Sequence, residues 1–463
     1  MEVRNSFSSR SIELNPSYQQ QNPFDILPDE LVINIFTTLR NGCSFPSKWI
    51  LLVVQLSGVC SRWRNLVIGA PLFWNFCVIS SYDSLVLAPL FFERSRLLPL
   101  DLIVSYFSSE EIFTLLSSVS GRIQSLEFWF ISPDELIDCL PIISADSATG
   151  LHQLRILCDP KHDWDCNSPE EHFSILRSAE TLRSVVLKGV CSQFSPPLVN
   201  LTHLEIHEFS PTFAEFSLLF ASNSALTTLC LPGVPRTEWL NEEYSPIDAS
   251  SLRSLSVGLA EHWGPRTCGC MLTFLKLDNL EYLEITGNCT FSISNHFCSM
   301  NGLSRVHTLR LRDLKMDAPD VPLCSALKAV TRVELYNVTK SSVLVARNGA
   351  GDSEIYFPKL KSLRCDESNL MQDEGLAELV CSRSGMGLFC IELPSFLKAW
   401  PHNKVLAKLD AANIKLLFIE ENEAAKGLSF YGSESGEVLH LRPEWIDYDE
   451  YDEEDSELDF FEW

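Results

Sequence analysis

Positive charge is what this chain has least of. Its 463 residues carry 36 Lys and Arg against 61 Asp and Glu, a formal charge of −25 at pH 7. That balance argues against a nucleic-acid backbone as partner and against anionic membrane surfaces. Long apolar runs are missing too: the longest, WILLVV from Trp49, falls far short of the ~20 residues that span a bilayer. The first residues, MEVRNSFSSRSIELNPSYQQQNP, lack the apolar core of a secretory leader. The 16 cysteines show no framework spacing and read as reduced, mostly buried thiols. The expectation is a cytoplasmic and/or nuclear protein, in which the Asn-x-Ser/Thr sequences at Asn200, Asn288 and Asn337 are chance matches.

Enzyme signatures are equally scarce. There is no G-x-S-x-G, no H-E-x-x-H and no G-x-x-x-x-G-K-[ST]. Cys158, His162 and Cys166 stand four apart, and CGC adds Cys268 and Cys270, but neither has the paired spacing of a zinc module. No catalytic residue, cofactor or metal is expected.

With apolar residues at 46%, a large core can form, and the length is too great for one ordinary core. The ends stand apart. Residues 1–23 are polar and expected to be disordered. Residues 444–463, EWIDYDEYDEEDSELDFFEW, hold eleven acids and no Lys or Arg. Such a segment repels itself and stays open, as a solubilising tail or one that docks elsewhere.

Between these ends one pattern recurs: apolar, two others, apolar, one other, apolar. It begins at Ile123, Leu151, Leu182, Leu201, Leu226, Leu252, Leu280, Val306, Val330, Leu360, Leu388 and Ile414, twelve copies whose starts lie 19 to 31 residues apart. A period in the twenties with this core is the leucine-rich-repeat signature. Motif positions four and six fall on one face of a short strand, and that face is buried only because neighbouring copies continue it. The place eight residues after each start is mostly apolar, with Ile131, Val190, Phe209, Val234, Leu314, Val338 and Phe396, and holds Asn288 and Asn422 in two copies, so a ladder of asparagines is not expected. Stretches 168–179 and 371–384 read as helices. The expected fold class is α/β: a short helical domain, then a curved solenoid over 80–443 with a parallel sheet on its concave face.

The helical domain is read over 24–79. Pro28, Asp29 and Glu30 mark a helix start, with Leu27, Leu31, Ile35 and Leu39 on one stripe. After a polar loop, Trp49, Leu52, Val53, Leu56, Val59, Cys60, Trp63 and Val67 keep helical spacing through a second helix. GAP ends that helix, and LFW is read as the start of the first strand. So small a unit cannot hide this much apolar surface, so the excess meets either the repeats or another chain.

LPDELVINIF, then VCSRWRNLV, then PLFW resemble the F-box, the adaptor-binding motif of Skp–cullin–F-box ubiquitin ligases. The matching residues are Leu27, Pro28, Glu30, Ile35, Val59, Cys60, Arg62, Trp63 and Trp74; the one departure is a longer connection between Leu39 and Leu51. Together with FFERSRLLPLDLIVS from Phe91 to Ser105, this is similar to the form common in basidiomycete fungal F-box proteins. The resemblance implies that Leu27, Pro28, Leu31, Ile35, Val59, Cys60 and Trp63 contact a Skp-type adaptor, and through it cullin, while the repeats hold a protein substrate. Core packing is the competing role for Trp63 and Trp74; Arg62 and Arg64 read as rim.

Motif positions three and five point to the opposite face of the strand. Arg310, Arg312, Arg332 and Arg364 therefore cluster, with Tyr282 and Tyr336 (and Trp129 and Phe418 further along) as apolar neighbours. Two readings are open: a salt-bridge ladder with Glu284, Glu334 and Asp366, or a site for an acidic or phosphorylated peptide. The expectation is a non-catalytic substrate receptor of a ubiquitin ligase; the alternative is a repeat scaffold that joins no ligase.

Overall fold

A computed structural model describes residues 26–41, 46–105, 110–131, 135, 149–158, 181–189, 198–207, 211–232, 245–259, 271–287, 293–296, 300–314, 321–338, 357–366, 390–399 and 415–419. The expected open ends, the helices at 168–179 and 371–384, and Val190, Phe209, Val234, Asn288, Asn422, His162, Cys166, Cys268 and Cys270 lie outside these. Two compact units divide the chain, the first ending at Tyr106 and the second beginning at Phe107.

The first unit runs α1 (Asp29–Asn41), α2 (Pro46–Val59), α3 (Ser61–Gly69), a 3-10 turn (Pro71–Phe73), β1 (Phe76–Ile79), α4 (Tyr82–Arg94) and β2 (Leu100–Val104). Asp29 and Glu30 occupy the first turn of α1, where carboxylates complement the free N–H groups. The single helix expected from Trp49 to Val67 is in fact two. Cys60 is extended (φ −159°, ψ 168°), and its thiol accepts the Trp63 N–H at 3.4 Å, so the break carries its own cap. LFW does not open a strand either: Pro71, with its ring-fixed φ, starts the 3-10 turn, and β1 begins at Phe76.

Trp74 belongs to the core, which decides between the two roles considered for it. Its indole N–H donates to the Val67 carbonyl at 2.8 Å, its ring meets Phe91 edge-on at 5.0 Å, and the Arg94 guanidinium sits 4.4 Å above it. The strands β1 and β2 pair in parallel, Phe76 opposite Asp101 through Ile79 opposite Val104.

The second unit opens with α5 (Glu110–Val119) and β3 (Ile123–Ile131). There follow β4 (Gln153–Cys158), β5 (Ser184–Lys188), β6 (His203–Ile206), α6 (Phe213–Ser222), β7 (Thr228–Leu231), β8 (Ile247–Asp248), β9 (Ser254–Gly258), β10 (Leu275–Lys276) and β11 (Tyr282–Thr286). The run closes with β12 (Thr308–Arg312), α7 (Val321–Ala326), β13 (Arg332–Tyr336), β14 (Ser362–Cys365), β15 (Cys390–Pro394) and β16 (Lys415–Ile419). Twelve of these strands form one parallel run in the order β3-β4-β5-β6-β7-β9-β11-β12-β13-β14-β15-β16, while β8 and β10 pair separately. Each of the twelve motif copies contributes one strand. From β4 to β15 the third motif residues face one another in unbroken register, Gln153, Ser184, His203, Thr228, Ser254, Tyr282, Thr308, Arg332, Ser362 and Cys390.

A regular backbone ladder links copy to copy. At motif position two, each N–H donates to the carbonyl of the same position one copy earlier, from His152 to Gln124 through Lys361 to Thr331, at 2.8–2.9 Å. Eight residues after the motif start, Ile131, Leu314 and Val338 are apolar and buried, and Phe396 is half-buried. Asparagine side chains join copies as well: Asn279 donates to the Ser250 carbonyl at 2.8 Å, Asn337 donates to Asp313 Oδ1 at 2.8 Å, and Asn223, fully buried, donates to the Leu198 and Leu219 carbonyls at 2.7 Å and accepts the Leu201 N–H at 2.8 Å. Asn223 lies outside the repeat motif, so periodicity does not mark it.

Gly287 follows β11 with φ +118°, and a Cβ there would stand 2.3 Å from the Leu259 carbonyl oxygen. Gly287→Ala is expected to lower stability by about 1–3 kcal/mol from backbone strain alone. Urea unfolding checks this against Gly121→Ala, where nothing lies within 4 Å of the new methyl. No helix among the described residues is long and apolar enough to cross a membrane.

Candidate functional sites

Thirteen of the fourteen large apolar side chains exposed among the described residues belong to the first unit; the other is Leu218. Apolar side chains left to water thus concentrate in the first unit. Helix α1 explains part of this, because it carries two apolar stripes. Val32 and Phe36 turn inward and are fully buried, and Phe36 meets Trp63 edge-on at 4.8 Å and Phe73 at 6.0 Å. Leu31, Ile35 and Leu39 turn outward, at 47%, 38% and 47% exposure. With Leu27, Asn34 and Thr38 they line a shallow groove of about 380 Å³.

The residues singled out from the sequence divide accordingly. Pro28, Leu31, Ile35, Val59 and Cys60 are exposed, while Leu27 and Trp63 are half-buried. Cys60 is a free thiol. Arg62, expected at the rim, does more: its guanidinium donates to Asp29 Oδ1 (Nη2 at 2.6 Å, Nε at 3.0 Å) and to the Leu27 carbonyl. It therefore ties α3 to the start of α1 and fixes how Leu27 and Leu31 are presented. Arg64 donates from Nε to the Ser57 carbonyl at 3.1 Å. Sequence reasoning missed the role of Arg62 because its partners lie some thirty residues away.

The outward positions of the sheet carry the second site. Arg310, Arg312, Arg332 and Arg364 share one face, as alternation requires. They are not an open basic patch. Arg310 is 1% exposed, and Arg312 and Arg364 are also buried; only Arg332 keeps about a third of its side chain in water. Acids stand in register with two of them, Glu284 and Glu334 beside Arg310, and Glu334 and Glu392 beside Arg364. Arg310 Nε lies 3.6 Å from Glu334 and 4.0 Å from Glu284. Arg332 donates to Glu334 at 2.6 Å and grips both oxygens of Glu392 at 2.7 and 2.6 Å. Glu392 was not foreseen as a member; the signal was available, since it is the fifth residue of its motif copy. Asp366 was foreseen, and its Oδ2 accepts the Asn337 backbone N–H at 2.6 Å.

The aromatic residues on this face serve the ladder. Tyr282 donates its hydroxyl to Glu284 at 3.0 Å, and the Tyr336 ring lies under Arg310 at 4.4 Å and Arg312 at 5.5 Å. Trp129 packs instead with Leu157 and Val186, and Lys398 stands 5.3 Å from the Phe418 ring. A second buried pair lies at the end of β6, where His207, just past the strand, brings Nε2 to 2.8 Å from Glu205 Oε1 and Glu205 is fully buried. Among the described residues no group of three His, Cys, Asp or Glu is placed to hold a metal.

Burial sets the ionisation of the face. It pushes the Tyr336 phenol up to about 12; Glu334 adds to the shift, and the Arg310, Arg364 and Arg312 guanidiniums oppose it. Tyr282 is raised as well, by burial and then by Glu284. Burial works against the charge of Arg332, yet its bonds to Glu334 and Glu392 more than compensate and raise it. A phenol whose folded value exceeds its unfolded value stabilises the fold below pH 10, and that stability is lost as pH rises from 10 towards 12. Urea midpoints measured from pH 9 to 12 are expected to fall through this window, and to fall less in Tyr336→Phe.

No protein-family model matches this chain, and no curated protein matches it.

Proposed function

We propose that this chain is the non-catalytic substrate-recognition subunit of a Skp–cullin–F-box ubiquitin ligase in the cytoplasm or nucleus. The exposed ridge of Leu31, Ile35 and Leu39 is the observation that carries the reading, with Val59 and Cys60 also exposed. It is apolar, it sits on the residues that resemble the F-box, and a short helical unit has left it to water. The parallel run of twelve motif strands supports the second half, a leucine-rich-repeat solenoid that holds the target protein. Such a receptor acts by placing a target beside a recruited ubiquitin-conjugating enzyme, a contribution of proximity that asks no acid or base of this chain.

Arg310, buried between Glu284 and Glu334, does not touch a target in this reading. The deciding experiment is titration of a purified Skp-type adaptor into the full chain by calorimetry. A one-to-one complex of micromolar affinity or better is expected. An absence of heat and of co-elution at tens of micromolar would sink the proposal and leave the scaffold alternative.

A further inference from the structure

We infer that the outer face of β13–β15 holds an oxyanion site whose principal cation is Arg364, and that it takes a carboxylate or phosphate group carried on a peptide. This concerns the sheet unit alone and does not depend on adaptor docking by the helical unit. Arg364 occupies the fifth position of its motif copy, in register with Glu334 on one side and Glu392 on the other. Both carboxylates are engaged elsewhere. Arg332 takes Glu334 at 2.6 Å and holds Glu392 through both of its oxygens, while Arg310 lies 3.6 Å from Glu334. What remains to Arg364 is Glu392 at 3.9 Å from its Nε, an ion pair beyond hydrogen-bond reach.

The consequence is unusual for an interior. Arg364 is 8% exposed, and its Nε and Nη2 are buried with no hydrogen-bond partner. A buried guanidinium left this way works against the fold, and such violations concentrate where a protein binds something. A planar fork missing its acceptor is matched by a group with two oxygens, as carboxylate and phosphate are. Asp366 stays charged while it accepts the Asn337 N–H, so four carboxylates (Glu284, Glu334, Glu392, Asp366) stand among the described residues against four guanidiniums (Arg310, Arg312, Arg332, Arg364), and what Arg364 lacks is hydrogen bonds rather than counter-charge.

The test is fluorescence anisotropy with labelled hexaglutamate, a phosphoserine peptide and hexaglutamine, titrated into the full chain and into Arg364→Gln and Arg364→Met. At least one acidic peptide is expected to bind and hexaglutamine not to. Both variants are expected to lose tenfold or more in affinity while their urea midpoints stay level or rise, because a costly buried charge has gone. A tighter phosphoserine peptide assigns the site to phosphate; a glutamate peptide as tight or tighter assigns it to carboxylate. The inference is overturned if no acidic peptide binds, if hexaglutamine binds equally well, if the variants bind as the parent does, or if both variants unfold at lower urea or fail to fold.

Discussion

A chain carrying Leu31→Glu and Ile35→Glu is expected to lose at least about a hundredfold in adaptor affinity, roughly 3 kcal/mol, while keeping the parent's urea midpoint. Both halves follow from α1. Leu31 and Ile35 already face water, so glutamate there removes little packing from the fold. In a complex the same carboxylates would sit in the desolvated centre of the contact, where truncating a few residues commonly costs 2 kcal/mol or more and an unpaired charge costs further. The control is on the other stripe. Phe36→Ala opens a cavity beside Trp63 and Phe73 and should cost about 3–5 kcal/mol of stability. Trp63→Ala falls between, since Trp63 is half-buried against Phe36; its loss of binding counts only beside an unfolding curve. An unchanged affinity in the double glutamate variant would remove α1 from the interface.

Arg310→Ala is expected to destabilise the sheet unit by about 3–5 kcal/mol, the usual cost of breaking a buried pair from one side. The side chain is almost completely enclosed, and its removal leaves Glu284 and Glu334 buried without the cation between them. It also uncovers the Tyr336 ring, 4.4 Å below the guanidinium. Arg310→Met keeps most of the volume and should recover part of the packing but not the charge balance, so its loss should be smaller than that of alanine and not zero. Arg310→Met together with Glu334→Gln should recover more, because the charges leave as a pair. Urea unfolding of the four proteins checks the order. A single variant as stable as the parent would show that the ladder contributes nothing to folding. The contrast with Arg364 is direct: Arg310 is enclosed by partners and should be missed, whereas Arg364 lacks hydrogen bonds and should not.

Much of the repeat unit was legible because its signal is local and repeated. An alternation of apolar residues needs only six positions to define a strand, and twelve copies agree. The same rule placed Arg310, Arg312, Arg332 and Arg364 on one face. It was silent on β1, β2, β8 and β10, short strands outside the motif. It was misled at Cys60, where helical spacing continues through a break that a single thiol caps. It was misled again at Pro71–Phe73, where apolar residues after a proline close a turn rather than open a strand.

Residue order by itself determined which side chains share a strand face, which share a helix stripe, and how often the motif recurs, since all three depend on backbone geometry within a few residues. Tertiary structure alone decided which stripe of α1 turns inward, that Trp74 is core while Leu31 and Ile35 meet water, and that Arg310 is enclosed between glutamates rather than left open. Those outcomes depend on side chains brought together from tens of residues apart. Burial, pairing and exposure are properties of neighbours, and no single stretch of chain specifies its own.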